Sequence, residues 1–140
     1  MILIDATNTI LGRMAAYAAK YALEGNKVVI VNCEKAYVSG SKQDVFADYL
    51  NRLERGTPRK GPFIHRMPDK LVRRTIRGML PYKKAKGREA YKRVLCFVGV
   101  PEEYKNEKPI ELDNKVKIEK LPTLKYVDLL TLSRRLGAKI

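Results

Sequence analysis

Residues 2–31 read ILIDATNTILGRMAAYAAKYALEGNKVVIV, two short apolar runs flanking a stretch whose apolar residues recur at helical spacing. Ile2, Leu3 and Ile4 form the first run, which ends at Asp5 and leads through the polar turn Thr7-Asn8-Thr9. Leu11, Met14, Ala15, Ala18 and Ala22 then fall on one face of a helix, and the small residues among them let that helix lie close on a sheet. Gly25 is placed to take the left-handed position just past the helix end. Val28, Val29, Ile30 and Val31 are apolar without alternation and β-branched, the habit of a parallel strand buried on both faces. Strand, helix and strand in thirty residues make a βαβ unit, with the usual right-handed crossover.

The chain beyond this unit continues the same alternation. Ala36-Tyr37-Val38 is a short strand candidate, and Ser39-Gly40-Ser41-Lys42 opens a helix with Ser41 and Asp44 spaced as a capping box. Val45, Tyr49, Leu50 and Leu53 give that helix its apolar side, and Gly56-Thr57-Pro58 ends it. A basic loop follows, then a helix over 68–80 that Pro68 begins and Pro81 stops. After a short helical turn at 87–93, residues 94–98 (VLCFV) form a third strong strand candidate. Residues 101–125 carry charges of both signs broken by Pro101, Pro109 and Pro122, which predicts an extended arm with a short strand at 115–119. Leu129, Leu132 and Leu136 restore a helical rhythm, with Arg134 and Arg135 in the last turn and Gly137 closing it.

The helix over 68–80 is two-faced. At about 100° per residue, Leu71, Val72, Ile76, Met79 and Leu80 take one half and Lys70, Arg73, Arg74 and Arg77 the other. No carboxylate stands in that row of cations, so it repels itself unless something anionic lies across it. Residues 52–93 hold 15 Lys and Arg against 3 Asp and Glu, nearly all of the chain's net charge of +14, whereas residues 1–51 balance at 5 against 5. A field so concentrated is that of a phosphate-binding surface. The candidate contacts are Arg59, Lys60, His65 and Arg66 in the loop, Lys70, Arg73, Arg74, Arg77 and Gly78 on the helix, then Tyr82, Lys83, Lys84, Lys86, Arg88, Lys92 and Arg93. Phe63, Tyr82 and Tyr91 are interleaved with these cations, so that each ring is placed either to pack on the core or to stack on a base. Gly78 beside the stripe allows close approach of a sugar-phosphate backbone or close packing of helices.

Other chemistries find little to work with. A chain of 140 residues fits one domain, able to bury about 68% of its unfolded surface. Cys33 and Cys96 each sit in an apolar run, which predicts two buried thiols in a reducing compartment, neither a disulfide nor a metal pair. The opening MILIDATN lacks the basic lead of a secretory signal, and no run of about 18 apolar residues occurs, so the expectation is a cytoplasmic protein. His65 is the single histidine, and beside Arg66 it reads as a binding residue, not a general base. Ser39 to Lys42 fails as a phosphate-cradling loop because Lys35 stands where the first glycine belongs and Ser precedes Lys after Gly40. Amides at the start of that helix remain a weak phosphate contact. Two other readings remain beside a structural RNA-binding protein: a nucleotide-binding enzyme on a Rossmann-like sheet, and a free-standing regulator that binds messenger RNA.

Leu11-Gly12-Arg13, VIVNCEK at 29–35, Ser39-Gly40-Ser41-Lys42 and RRTIRGMLPYKKAKGREAYKRVLCFVGVPEEY at 73–104 together resemble the universal large-subunit ribosomal protein family L-thirteen. The likeness runs from about residue 2 to 105 and more loosely through the terminal helix, and its YKKAKGREAYKR and VPEEYK forms are similar to the archaeal and eukaryotic branch, with an archaeal source expected. The resemblance implies an α/β fold, three-layer α/β/α with a central, mostly parallel four-stranded sheet, plus a C-terminal extended arm and helix. It also implies a structural and assembly role in the large subunit, with ribosomal RNA bound through the segment from Arg73 to Arg93. Neighbouring ribosomal proteins are the other expected partners; no catalysis, cofactor, membrane contact or independent homo-oligomer is expected.

Overall fold

The two apolar runs of the opening unit lie side by side in a computed structural model that describes residues 1–140. Strand β1 (Ile2–Asp5) pairs parallel with β2 (Val28–Val31), Ile2 opposite Val28 and Asp5 opposite Val31. Helix α1 (Leu11–Leu23) makes the crossover, with Met14, Ala15, Ala18 and Ala22 fully buried. Gly25, at φ +99°, takes the left-handed turn after it. The chain then runs through β3 (Tyr37–Ser39), α2 (Lys42–Glu54), α3 (Pro68–Gly78), α4 (Ala85–Lys92), β4 (Val94–Cys96), β5 (Tyr126–Asp128) and α5 (Leu129–Arg135). Strand β4 pairs parallel on the far side of β2, which gives the order β1-β2-β4.

The sheet therefore has three strands, not the four expected. Asn32, at φ 56°, and the 3₁₀ turn Cys33–Lys35 carry the chain out of the sheet before β3 begins. Strand β3 instead pairs antiparallel with β5, Tyr37 opposite Asp128, in a separate two-stranded ribbon. The two faces of the sheet are covered differently. Ile4, Val28, Ile30 and Val94 face one large cluster to which all five helices contribute buried apolar residues. Leu3, Val29 and Val31 face the other way, where Phe97 and Tyr104, the latter in the 3₁₀ turn Glu102–Tyr104, cover them. Each large side chain so buried contributes roughly 1.5–3 kcal/mol, and most of that total lies on the helical face.

The arm over 101–125 is bound along the body of the protein. Ile110 N–H donates to Leu3 O at 2.9 Å, Ile10 N–H to Val116 O at 2.8 Å and Ile118 N–H to Asn8 O at 2.9 Å. Where a strand was expected at 115–119 there are two 3₁₀ turns, Asn114–Val116 and Ile118–Lys120. Cys33 and Cys96 are free thiols, Cys33 buried as expected and Cys96 only half-buried, and a hydrogen bond from the protonated Cys33 thiol toward Cys96, together with burial, pushes the Cys33 thiol up.

Asp5 ties the ends of β1 and β2 together. Its Oδ1 accepts from the Thr7 hydroxyl at 2.7 Å, the Thr7 amide at 3.0 Å and Asn32 Nδ2 at 3.1 Å. Burial alone would raise this carboxyl, but the hydrogen bonds from Thr7 and Asn32, with Lys35 nearby, hold it below its ordinary value. A depressed folded-state pKa makes a contribution to stability that is full above the ordinary carboxylate value near 3.8 and is lost as pH falls through the folded one. Thermal melts from pH 5 downward should therefore show a steeper loss for the wild type than for Asp5→Asn. Superimposable acid limbs would remove Asp5 from the account.

Candidate nucleic-acid interface

Helix α3 begins where the pyrrolidine of Pro68 suits the first helical turn, with Asp69 beside the positive end of the helix dipole. Leu71, Val72 and Ile76 are buried in the main cluster, and Leu80 joins them just past the helix end. Met79, assigned to the same half by the wheel, is instead 43% exposed at the helix C-cap.

The four cations of the polar half divide into two kinds. Lys70 and Arg74 stand exposed. Arg73 is half-buried: its Nε donates to Val94 O at 3.1 Å, its Nη2 to Tyr91 O at 3.4 Å, and its guanidinium lies 4.2 Å from the centre of the Tyr91 ring. Arg77, also half-buried, lies 4.3 Å from the centre of the Tyr82 ring. Arg93 at the end of α4 turns inward too, Nη1 donating to Ala22 O at 2.9 Å in the last turn of α1. Lys83, Lys84, Lys86, Arg88 and Lys92 remain on the surface. Of the 29 Lys and Arg, only Arg52 forms an ion pair, with Asp48 at 2.8 Å.

The loop before α3 has a defined shape. Gly61 N–H donates to Thr57 O at 2.9 Å and Lys60 N–H to Thr57 Oγ1 at 3.2 Å, so Arg59 and Lys60 sit exposed at the tip of a closed turn. A Cβ at Gly56, where φ is +79°, would lie 1.8 Å from Gly61 O, so only glycine permits the closure. Phe63 lies so near Gly61 that a Cβ there would stand 3.0 Å from its Cδ2 and Cε2, and it is 73% exposed. His65 and Arg66 follow, both exposed.

A groove of about 960 Å³ opens between this loop, α3, the start of α1 and α2. Its lining brings together His65, Arg74, Arg77 and Gly78 from the sequence-predicted set, with Phe63 beside them. Lys83, Lys84, Lys86, Arg88, Lys92 and Arg93 are not part of it. Arg13, Tyr37, Tyr49 and Arg52 also line it and were not singled out as site residues from sequence. Arg13 Nη1 donates to Lys115 O at 2.6 Å, and Arg52 lies 4.9 Å from the Tyr49 ring centre. Burial pushes the Tyr49 hydroxyl up, with Arg52 pulling against it. No carboxylate lines the groove.

The Ser39 to Lys42 segment is not a phosphate cradle in this fold. Ser39 is in β3, Gly40 N–H donates to Lys125 O at 2.9 Å, and Ser41 Oγ accepts from Asp44 N–H at 3.2 Å and donates to Asp44 Oδ2 at 2.7 Å. The Gly40 and Asp44 amides and the Ser41 hydroxyl, three of the groups that such a cradle would use, already have partners.

Comparison with known proteins bears on the whole of this arrangement. The sequence model of the family described as Ribosomal protein L13 matches residues 1–103. Large ribosomal subunit protein uL13 of Methanocaldococcus jannaschii is 46% identical over 143 aligned residues, spanning 99% of both chains. The protein of the same name from Archaeoglobus fulgidus is 42% identical over 134 residues, 96% of this chain and 86% of the relative. That from Methanosarcina barkeri is 42% identical over 140 residues, with 99% of each covered. With so much of its length matched, and the RGMLP and KGRE segments lying on the end of α3 and the start of α4 of the structure just described, the chain belongs to the ribosomal protein L13 family.

Proposed function

We propose that this protein is a structural constituent of the large ribosomal subunit that binds large-subunit ribosomal RNA and helps the subunit assemble. The observation that carries the proposal is electrostatic: a chain of net charge +14 forms one ion pair, and the cations of residues 59–92 are left mostly exposed and without carboxylate partners. Such a surface is stable against self-repulsion when a polyanion lies on it. Exposed Lys70 and Arg74 on α3, Arg59, Lys60, His65 and Arg66 before it, and Lys83, Lys84, Lys86, Arg88 and Lys92 after it form the contact set. Arg73, Arg77 and Arg93 support it from within, Tyr82 under Arg77. Gly78 has no atom within 4 Å of where a Cβ would stand, so helix packing is not why a glycine is there. That favours a backbone approaching it from outside.

The chain works as one RNA-binding domain over residues 1–140, in the cytoplasm, within the large subunit and beside neighbouring ribosomal proteins. It is not an enzyme, needs no cofactor and acts without forming a homo-oligomer of its own. No helix is long and apolar enough to cross a membrane. In a sucrose gradient the protein should travel with large subunits; recovery only at the top, with messenger RNA, would favour the free-standing regulator.

Binding to ribosomal RNA should weaken steeply with salt, with a log–log slope of roughly −4 to −5 for about 6 phosphate contacts. Replacing Lys70 and Arg74 together with Gln removes two exposed charges from α3 without touching its buried half. The slope should then shrink by about 1.5 to 2. A filter-binding titration that is flat in salt would overturn the proposal.

A further inference from the structure

Three rings are interleaved with the basic residues, and the structure separates them. Tyr91 is covered by Arg73 and Tyr82 by Arg77. Phe63 has no such cation on it, is 73% exposed, and lies beside Gly61. It sits on the rim of a groove whose volume, about 960 Å³, lies at the upper end of the ~300–1,000 Å³ of small-ligand sites. Most of the arginines in that groove are already engaged: Arg13 on Lys115 O, Arg52 on Asp48, Arg77 on Tyr82. Arg74 is exposed and makes none of these contacts.

We propose that this groove receives one unpaired nucleotide of the bound RNA, its base laid on Phe63 and its phosphate held by the guanidinium of Arg74. The inference rests on the ribosomal-RNA reading above and adds to it a place where a single base is taken. A base inside a duplex is stacked on both sides and cannot enter a concave site beside an exposed ring, whereas a splayed-out one can. A positive groove without a carboxylate favours a nucleotide over a peptide of mixed charge.

The test uses the full chain and protein-free large-subunit ribosomal RNA in filter-binding titrations. Phe63→Leu should bind roughly tenfold more weakly, the loss of one base–aromatic stack, with its salt slope unchanged because no phosphate contact is removed. Phe63→Trp should restore the affinity, and both variants should melt like the wild type because position 63 is exposed. If the wild type binds with a steep salt slope and Phe63→Leu binds equally well, the nucleotide site is refuted while the RNA-binding reading stands, and the groove is left for a protein segment. If the wild type does not bind the RNA, both fall.

Discussion

Gly87→Ala should be among the most damaging single methyl groups that can be added to this protein. In an open helical position alanine is better than glycine by about 1 kcal/mol, so the sign depends on what the new Cβ meets. Gly87 lies buried in the first turn of α4, and a Cβ there would stand 2.0 Å from Pro81 O, 2.2 Å from Pro81 C and 2.8 Å from Tyr82 N. All three are backbone atoms, so no side chain can swing aside. Either α4 lifts away, exposing Ala90, or the turn after α3 is displaced with Tyr82 and the cation stacked on it. The net cost should be about 3 kcal/mol, the upper end of ordinary overpacking, or a fall of roughly 10 °C in melting temperature for a chain of this size. Gly78→Ala is the matched control, because its Cβ would meet nothing within 4 Å. It should leave the melt unchanged or raised, and weaken RNA binding where the sugar-phosphate backbone comes close. Equal melting temperatures for Gly87→Ala and the wild type would show that α4 does not sit on Pro81 as described.

The comparison of those two glycines also shows what a sequence exposes and what it conceals. The βαβ unit was legible because β1, α1 and β2 each carry their own periodicity, and burial then followed it residue by residue. Strand β5 was not legible, since Tyr126-Val127-Asp128 is three residues long and becomes a strand only by pairing with β3. The cover of the second sheet face had the same origin: Tyr104 sits among charges in the sequence, and only the return of the arm across β1 brings it onto that face. At the site, the local charge pattern supplied His65, Arg74 and Arg77. Arg13 and Arg52 belong to other helices and reach the groove only through the packing of α1 and α2 around it. A helical wheel separates polar from apolar positions, but it cannot tell a cation facing solvent from one spent on backbone carbonyls.

Arg73 and Arg74 are adjacent in sequence and both fall on the polar half of α3, yet they should fail in opposite assays. Arg73 joins α3 to the junction of α4 and β4 through two carbonyls, Tyr91 O and Val94 O, while lying over the Tyr91 ring. Hydrogen bonds from a charged donor contribute about 1.5–3 kcal/mol, and a cation over an aromatic face at a partly exposed site about 0.5–1 kcal/mol. Because the site is only half-buried, water replaces part of what is lost. Arg73→Gln should therefore cost about 2 kcal/mol in urea denaturation. Arg73→Lys keeps the charge but loses the fork that spans the two carbonyls, so it should be nearly as destabilising. Arg74→Gln should change stability by less than about 0.5 kcal/mol and reduce the salt slope of RNA binding by about 0.9. Measured where all variants are folded, Arg73→Gln should bind RNA nearly as the wild type does. The reverse outcome, Arg73→Gln as stable as the wild type but weak on RNA, would mean that this guanidinium leaves the carbonyls for a phosphate, and that the ridge of α3 presents three free cations to the RNA in place of the two that stand exposed.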